Sequence, residues 1–222
     1  MKKNMNLPEN FTVTAHSGCE KTTPNSLDSL KAADKLNCDI AEVDVRFTDE
    51  GIPVMAHDRN FSDVTALEDA FSLVSGFDRL KLNLDIKETT HLADIIPLAE
   101  KYSMTDRVFC TGIFEKDTQE MKKQLPGYTY YLNMGIKPAV FQTKRYLDKI
   151  CRIIKENGAV GINCNHKKVT KKMVDYLHKN NLFVSLWTVD NEKDMKRVLS
   201  LCPDNITTRH PSELKKLISD RF

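Results

Sequence analysis

Residues 40–58 read IAEVDVRFTDEGIPVMAHD, from Ile40 to Asp58. Glu42, Asp44 and Arg46 alternate with Val43, Val45 and Phe47. At the two-residue period of a strand, all the charge falls on one face and all the apolar bulk on the other. Asp49-Glu50-Gly51 is a turn signal, and Ile52 to His57 is a second strand-like run. The link is too short for a parallel crossover, so the second run is predicted to return as an antiparallel hairpin arm. A turn centred near Glu50-Gly51 would set His57 opposite Asp44. The bland alternative is an edge ribbon with solvated charges. Against it stand the returning His-Asp and a second histidine upstream, in Ala15-His16-Ser17-Gly18.

Outward from this stretch, strand-like runs and helical patterns alternate. Phe11 to His16 reads as a first strand, and Pro24-Asn25-Ser26 opens a helix with Leu27, Leu30, Ala33 and Leu36 at helical spacing. After the hairpin comes a helical run from Ala66 to Val74, ending at Gly76. Lys81 to Lys87 repeats the alternation, with Leu82, Leu84 and Ile86 on one face and Asn83, Asp85 and Lys87 on the other. Leu92 to Tyr102 reads as a helix whose Pro97 fits only near a helix start or a kink. Further strands are predicted at 107–112, 128–134, 159–164, 182–189 and 204–208, with helices between them and after the last. Thr170 and Asp190 are candidate caps for two of those helices.

Without the hairpin arm the tally is eight strands, each followed by a helix. That pattern predicts an α/β fold, a (β/α)8 TIM barrel with a short β-hairpin arm after strand 2. The alternative, an open doubly wound sheet, lacks its Gly-rich phosphate loop after the first strand. With neither a repeat nor a linker, residues 1–222 are read as a single domain.

Thirty-three Lys+Arg against 31 Asp+Glu leave a net charge of +2. Chain-wide, nothing argues for nucleic acid or a membrane surface as partner. An anionic substrate would have to be met locally, by a metal ion or a few cations. Cys19, Cys38, Cys110, Cys151, Cys164 and Cys202 are scattered without zinc spacing, which predicts reduced thiols in a cytoplasmic protein. No apolar stretch follows Met1-Lys2-Lys3, so no signal peptide is expected, and no run approaches a membrane span. The sequence does not specify an oligomeric state.

Barrel strands normally turn branched apolar side chains inward. Here two strands turn charge inward instead, late in the strand and so near the C-terminal mouth. Buried charges need a partner or a metal. Glu42, Asp44 and Asp85 could therefore converge, and a divalent cation, Mg2+ or Ca2+ on an all-oxygen set, would relieve their repulsion. The alternative is a salt-bridged network through Arg46 and Lys87. His16 and His57 would flank the cluster as an acid/base pair. His91 and His178 fall on helices as surface residues, whereas His166 and His210 follow strands at the mouth and are possible contacts.

These residues resemble the glycerophosphodiester phosphodiesterase family, a (β/α)8 group related to phosphatidylinositol-specific phospholipases C. AHSG stands for the family's HRG, NSL for its ENT-L, and IAEVDVRFTDEGIPVMAHD for its I-E-x-D-x-x-x-T-x-D-G-x-x-V-x-x-H-D. LNLDIK stands at its IEIK-like strand, followed by WTVD and ITTRHP. The resemblance implies His16 and His57 as the acid/base pair and Glu42, Asp44 and Asp85 as metal ligands. It implies Lys87 on the phosphate and Trp187 walling an alcohol pocket. The implied reaction is metal-dependent hydrolysis of a small-molecule glycerophosphodiester to sn-glycerol 3-phosphate and an alcohol. Lyase-like transphosphorylation to a cyclic phosphate, or phosphodiester binding without turnover, are the alternatives.

Three departures stand out. Ser17 replaces the family's arginine, Pro24 its glutamate with a loop one residue shorter, and Asp85 the usual glutamate. Arg209, after the eighth strand, is expected to reach the phosphate in place of the missing guanidinium, or else to pair with Glu213. The short segment from Arg59 to Arg79 implies a more open mouth that would admit a bulkier diester.

Overall fold

The computed structural model describes residues 7–220. Eight parallel strands close into a barrel: β1 (Thr12–Ala15), β2 (Ile40–Phe47), β5 (Lys81–Ile86), β6 (Val108–Ile113), β7 (Tyr130–Asn133), β8 (Gly161–Asn165), β9 (Phe183–Trp187) and β10 (Asn205–Thr208). The ring runs β1-β10-β9-β8-β7-β6-β5-β2 and closes where Thr14 and Ala15 meet Ile40 and Ala41. Helices α1 (Leu27–Lys35), α2 (Leu67–Ser75), α3 (Ile95–Lys101), α4 (Thr118–Gln124), α5 (Lys144–Glu156), α6 (Lys171–His178), α7 (Glu192–Leu199) and α8 (Pro211–Ser219) wrap it. The barrel expected from the alternation is the one observed.

Outside the ring, β3 (Pro53–Met55) pairs antiparallel with β2, and the two-residue β4 (Thr65–Ala66) pairs with β3. The hairpin register differs by one residue from the expectation. Phe47 faces Pro53 and Val45 faces Met55, and the Ala56 N–H donates to the Asp44 carbonyl at 3.0 Å. Ala56, not His57, therefore lies opposite Asp44. The cause is the five-residue loop Thr48–Ile52, closed by Thr48 N–H to Ile52 O and Gly51 N–H to Thr48 O, each 3.0 Å.

Local chemistry accounts for the helix ends. Ser26, Thr143, Thr170 and Asn191 cap α1, α5, α6 and α7 by accepting a backbone N–H. Asn191 thus takes the role expected of Asp190. Pro97 falls in the first turn of α3, where its missing N–H costs nothing.

The apolar core lies between sheet and helices, with Val43, Val45, Leu82, Leu84 and Ile206 packed beneath Leu30, Phe71, Ile95 and Leu214. The barrel interior is polar around more of its circumference than the two strands read from sequence. Asn163 Nδ2 donates to Asn133 Oδ1 at 3.0 Å, Ser185 Oγ to Asn163 Oδ1 at 2.9 Å, and Asn205 Nδ2 to Thr14 Oγ1 at 2.7 Å. A mutually bonded ring of this kind removes the cost of burying amides and hydroxyls.

The β6 register shifts between Cys110 and Ile113, and Gly112 there has φ +78°. A Cβ at Gly112 would lie 2.3 Å from the Ile86 carbonyl oxygen. Gly112→Ala is expected to destabilise the barrel by on the order of 3 kcal/mol, from left-handed strain and the backbone clash together. Urea denaturation checks this, and an unchanged midpoint would contradict it.

Candidate active site

Register places the acids. β2 and β5 pair so that Asp44 sits directly beside Asp85 and Glu42 beside Asn83. Glu42, two residues before Asp44, shares its face. One carboxylate oxygen from each of Glu42, Asp44 and Asp85 falls within 4.8 Å of the others. Glu42 and Asp44 are buried and Asp85 is half-buried. Each acid is held by a neutral donor. Glu42 Oε2 accepts the Ser17 N–H at 2.9 Å, Asp44 Oδ2 accepts Asn25 Nδ2 at 2.8 Å, and Asp85 Oδ1 accepts Thr111 Oγ1 at 2.7 Å.

Among the described residues, Lys87 is the one ammonium paired with these acids. Its Nζ lies 2.7 Å from Asp44 Oδ1 and also bonds Asp85. Half of the expected salt-bridge alternative is therefore realised. Arg46 takes no part, turning instead to Glu88 (3.4 Å) and to the His57 carbonyl (2.8 Å). One ammonium cannot balance three carboxylates. Burial, with Asp44 and Asp85 adjacent, pushes the Glu42 carboxyl well above its ordinary range. Burial would raise Asp44 too, but the Lys87 ammonium and the Asn25 amide outweigh it and hold that carboxyl below its ordinary value. Burial tends to lower Lys87, and Asp85 and Asp44 reverse this to a net rise. Three hard oxygen donors around excess negative charge suit a divalent cation.

His16 follows β1 at the same end of the barrel. Its Nδ1 donates to the Ser17 carbonyl at 2.9 Å and lies 3.6 Å from Glu42 Oε2. That bond leaves Nε2 with the lone pair. Burial, helped by the Arg209 charge, lowers the His16 pKa against the opposing pull of the Ser17 carbonyl and Asp44. His57 is different. Its side chain is 68% exposed, and its Nδ1 meets Asp58 Oδ1 at 2.9 Å. Arg46 holds its backbone in place, and Glu88 in turn binds both Arg46 and Arg59.

A cavity of about 780 Å³ opens at the C-terminal mouth. His16, His57, Glu42, Asp44, Asp85, Lys87, Trp187 and Arg209, the eight residues singled out in the sequence, all line it. Trp187 buries its indole N–H without a partner. Arg209 Nη1 pairs with Asp190 Oδ2 at 2.7 Å rather than with Glu213. Neither His166 nor His210 lines the cavity. His166 is buried, its Nδ1 2.6 Å from Arg197 Nη2. His91 is exposed as expected, whereas His178 is partly covered and bonds Asp204 Oδ2 at 2.8 Å.

Sequence reasoning passed over Asn25, Thr111 and Glu88. Asn25 is the most telling. At φ +54° its side chain bonds the Asp44 carboxylate and also accepts the Asp44 N–H at 3.0 Å. Ser17, noted in the sequence as a departure from the resembled family's arginine, is buried against it. Its Oγ donates to Asn25 Oδ1 at 3.0 Å and accepts the Asn25 N–H at 2.6 Å. The signal for Asn25 was its place in NSL, read as a helix opening and as the counterpart of the family's ENT-L, but with no site role given to Asn25.

A model of the glycerophosphoryl diester phosphodiesterase family matches residues 16–154 and 141–213. A glycerophosphodiester phosphodiesterase of Caldanaerobacter subterraneus subsp. tengcongensis is 23% identical over an alignment 245 positions long, gaps included, covering 93% of this chain and 97% of that one. Two solved structures share the fold. A glycerophosphodiester phosphodiesterase from Parabacteroides distasonis has a TM-score of 0.76 at 18% identity, covering 96% of this chain and 98% of that one. An Oleispira antarctica phosphodiesterase in complex with the product sn-glycerol-3-phosphate has a TM-score of 0.78 at 17% identity, covering 96% and 97%.

The raised Glu42 carboxyl has a measurable consequence for stability. An acid that holds its proton more tightly in the native state loses native stability as pH rises from its unfolded value, near 4.5, through the raised folded one. In EDTA, Glu42→Gln is therefore expected to melt above wild type at pH 8, with the gap narrowing towards pH 4. A variant that melts at or below wild type at pH 8 would contradict the assignment.

Proposed function

The chain belongs to the glycerophosphoryl diester phosphodiesterase family and is a phosphoric diester hydrolase, and on that premise we propose that it hydrolyses glycerophosphodiesters to sn-glycerol 3-phosphate and an alcohol. The observation that carries this reading is the meeting of three carboxylates, one lysine and the half-buried His16 in a single cavity. The product seen in the Oleispira antarctica structure supports the same substrate class. The whole chain acts as one domain. Its six unpaired cysteines favour a reducing, cytoplasmic setting, and no helix among the described residues is long and apolar enough to cross a membrane.

Glu42, Asp44 and Asp85 would hold Mg2+ or Ca2+, whose fit rests on their clustered oxygens and on the charge that Lys87 leaves unbalanced. The ion would supply Lewis-acid polarisation of the phosphoryl oxygens. Lys87 exchanges its carboxylate contacts for the substrate phosphate and stabilises charge developing there. His16 accepts the proton of the attacking oxygen at Nε2, the nitrogen left free by the Ser17 bond. His57, at the exposed rim, protonates the departing alcohol oxygen as the bond from phosphorus breaks. Trp187 walls the alcohol side of the cavity. Arg209, aimed by Asp190, supplies the cationic contact that Ser17 cannot. The open mouth leaves room for a bulkier alcohol.

Turnover of glycerophosphocholine and related diesters, with Mg2+ or Ca2+ and an EDTA control, tests the reading. His16→Ala is expected to lower kcat by about a hundred- to ten-thousandfold, and EDTA to abolish activity reversibly. Phosphorus NMR of the products separates hydrolysis from transphosphorylation, since a cyclic phosphate would show an internal hydroxyl as nucleophile. Metal-bound protein inert on every diester would favour a binding role instead.

Arg209→Ala is expected to raise KM for the diester about tenfold, the low end of the loss of a charge-assisted hydrogen bond. An unchanged KM would return Arg209 to the role of a surface partner of Asp190.

A further inference from the structure

The chain-wide charge balance conceals a local imbalance beside the mouth. No Asp or Glu occurs between Met121 and Leu147, or between Asn157 and Val174. The loop from β7 into α5 carries exposed Lys137, Lys144 and Arg145, and the segment from β8 into α6 carries exposed Lys167, Lys168, Lys171 and Lys172. Gln142, only 2% exposed, ties the two together. Its Nε2 donates to the carbonyls of Lys137 (2.9 Å) and Lys168 (2.7 Å), and its Oε1 accepts Thr170 Oγ1 at 2.6 Å. The cations thus share one face. Among the described residues, the exposed lysines of this face meet an acid only at its outer ends, Lys144 with Asp148 and Lys171 with Asp175. Asp194 lies behind it, 4.0 Å from the buried His166. Among the described residues, Arg145, Lys167 and Lys168 enter no ion pair.

At the tip of that face stand two large apolar side chains in water, Val140 at 80% exposure and Phe141 at 59%. Beside it a groove of about 430 Å³, lined by Phe114, Met134, Ile136, Lys167 and Trp187, shares Phe114 and Trp187 with the catalytic cavity. Apolar residues at a tip with cations behind them are complementary to a surface that is anionic outside and apolar beneath. We propose that this face docks the protein on an anionic lipid surface, Val140 and Phe141 entering the headgroup layer and the lysines lying against lipid phosphates. The mouth then opens next to the lipid.

The docking does not depend on the catalytic reading, because it is measured without turnover. The full chain is sedimented with vesicles of phosphatidylglycerol and phosphatidylcholine, and with phosphatidylcholine alone, at about 0.1 M salt. Binding to the phosphatidylglycerol vesicles alone is expected. Removing two charges in Lys167→Ala/Lys168→Ala should weaken it about twenty-five-fold, about fivefold for each. Val140→Ser/Phe141→Ser should weaken it at least about tenfold. All four side chains are exposed, and matched melting temperatures show that the variants fold. Failure to bind, equal binding to both vesicles, or either double variant sedimenting like wild type would overturn the proposal.

Discussion

The site depends on one lateral pairing. Because β2 and β5 align Asp44 with Asp85, two carboxylates are forced side by side at the barrel mouth, with Glu42 two residues behind. Such an arrangement is unstable without compensation, since buried like charges raise one another's proton affinity. Lys87, at the end of the same strand run, provides part of the compensation and Glu42 bears the remainder. An assembly that is under-neutralised yet rigid is suited to cations and to phosphate groups held near them. Neutral donors from Ser17, Asn25 and Thr111 fix the carboxylates in place without cancelling their charge.

The surrounding barrel makes this possible. In most barrels of this kind the interior is packed with branched apolar side chains. Here Asn133, Asn163, Ser185 and Asn205 bond to one another across β7 to β10, so the acids belong to a polar interior rather than interrupting an apolar one. The apolar residues of the same strands face the helices, and burial on that side holds the fold together.

Strand periodicity alone made the acids legible. Two-residue alternation puts Glu42 and Asp44 on one face wherever the strand lies, and Lys81 to Lys87 repeats the device. The barrel followed from alternation of strands and helices, and the mouth from the late position of the charges. What escaped depended on loops. The hairpin slipped by one residue because its turn closes over five residues. Asn25 was missed because its contact with Asp44 spans 19 residues and a left-handed backbone. The Arg46–Glu88–Arg59 clamp beneath His57 joins segments that no local pattern connects. Asp190 was read as a helix cap, yet the neighbouring Asn191 caps α7 and frees Asp190 for Arg209.

The most direct measurement is a crystal structure of the protein soaked in Mn2+, read by anomalous scattering. The account predicts a peak bounded by Glu42, Asp44 and Asp85, with the Lys87 ammonium moved off Asp44 and Asp85. Lys87 still bonded to both acids, with no anomalous peak among the three carboxylates at millimolar Mn2+, would contradict it.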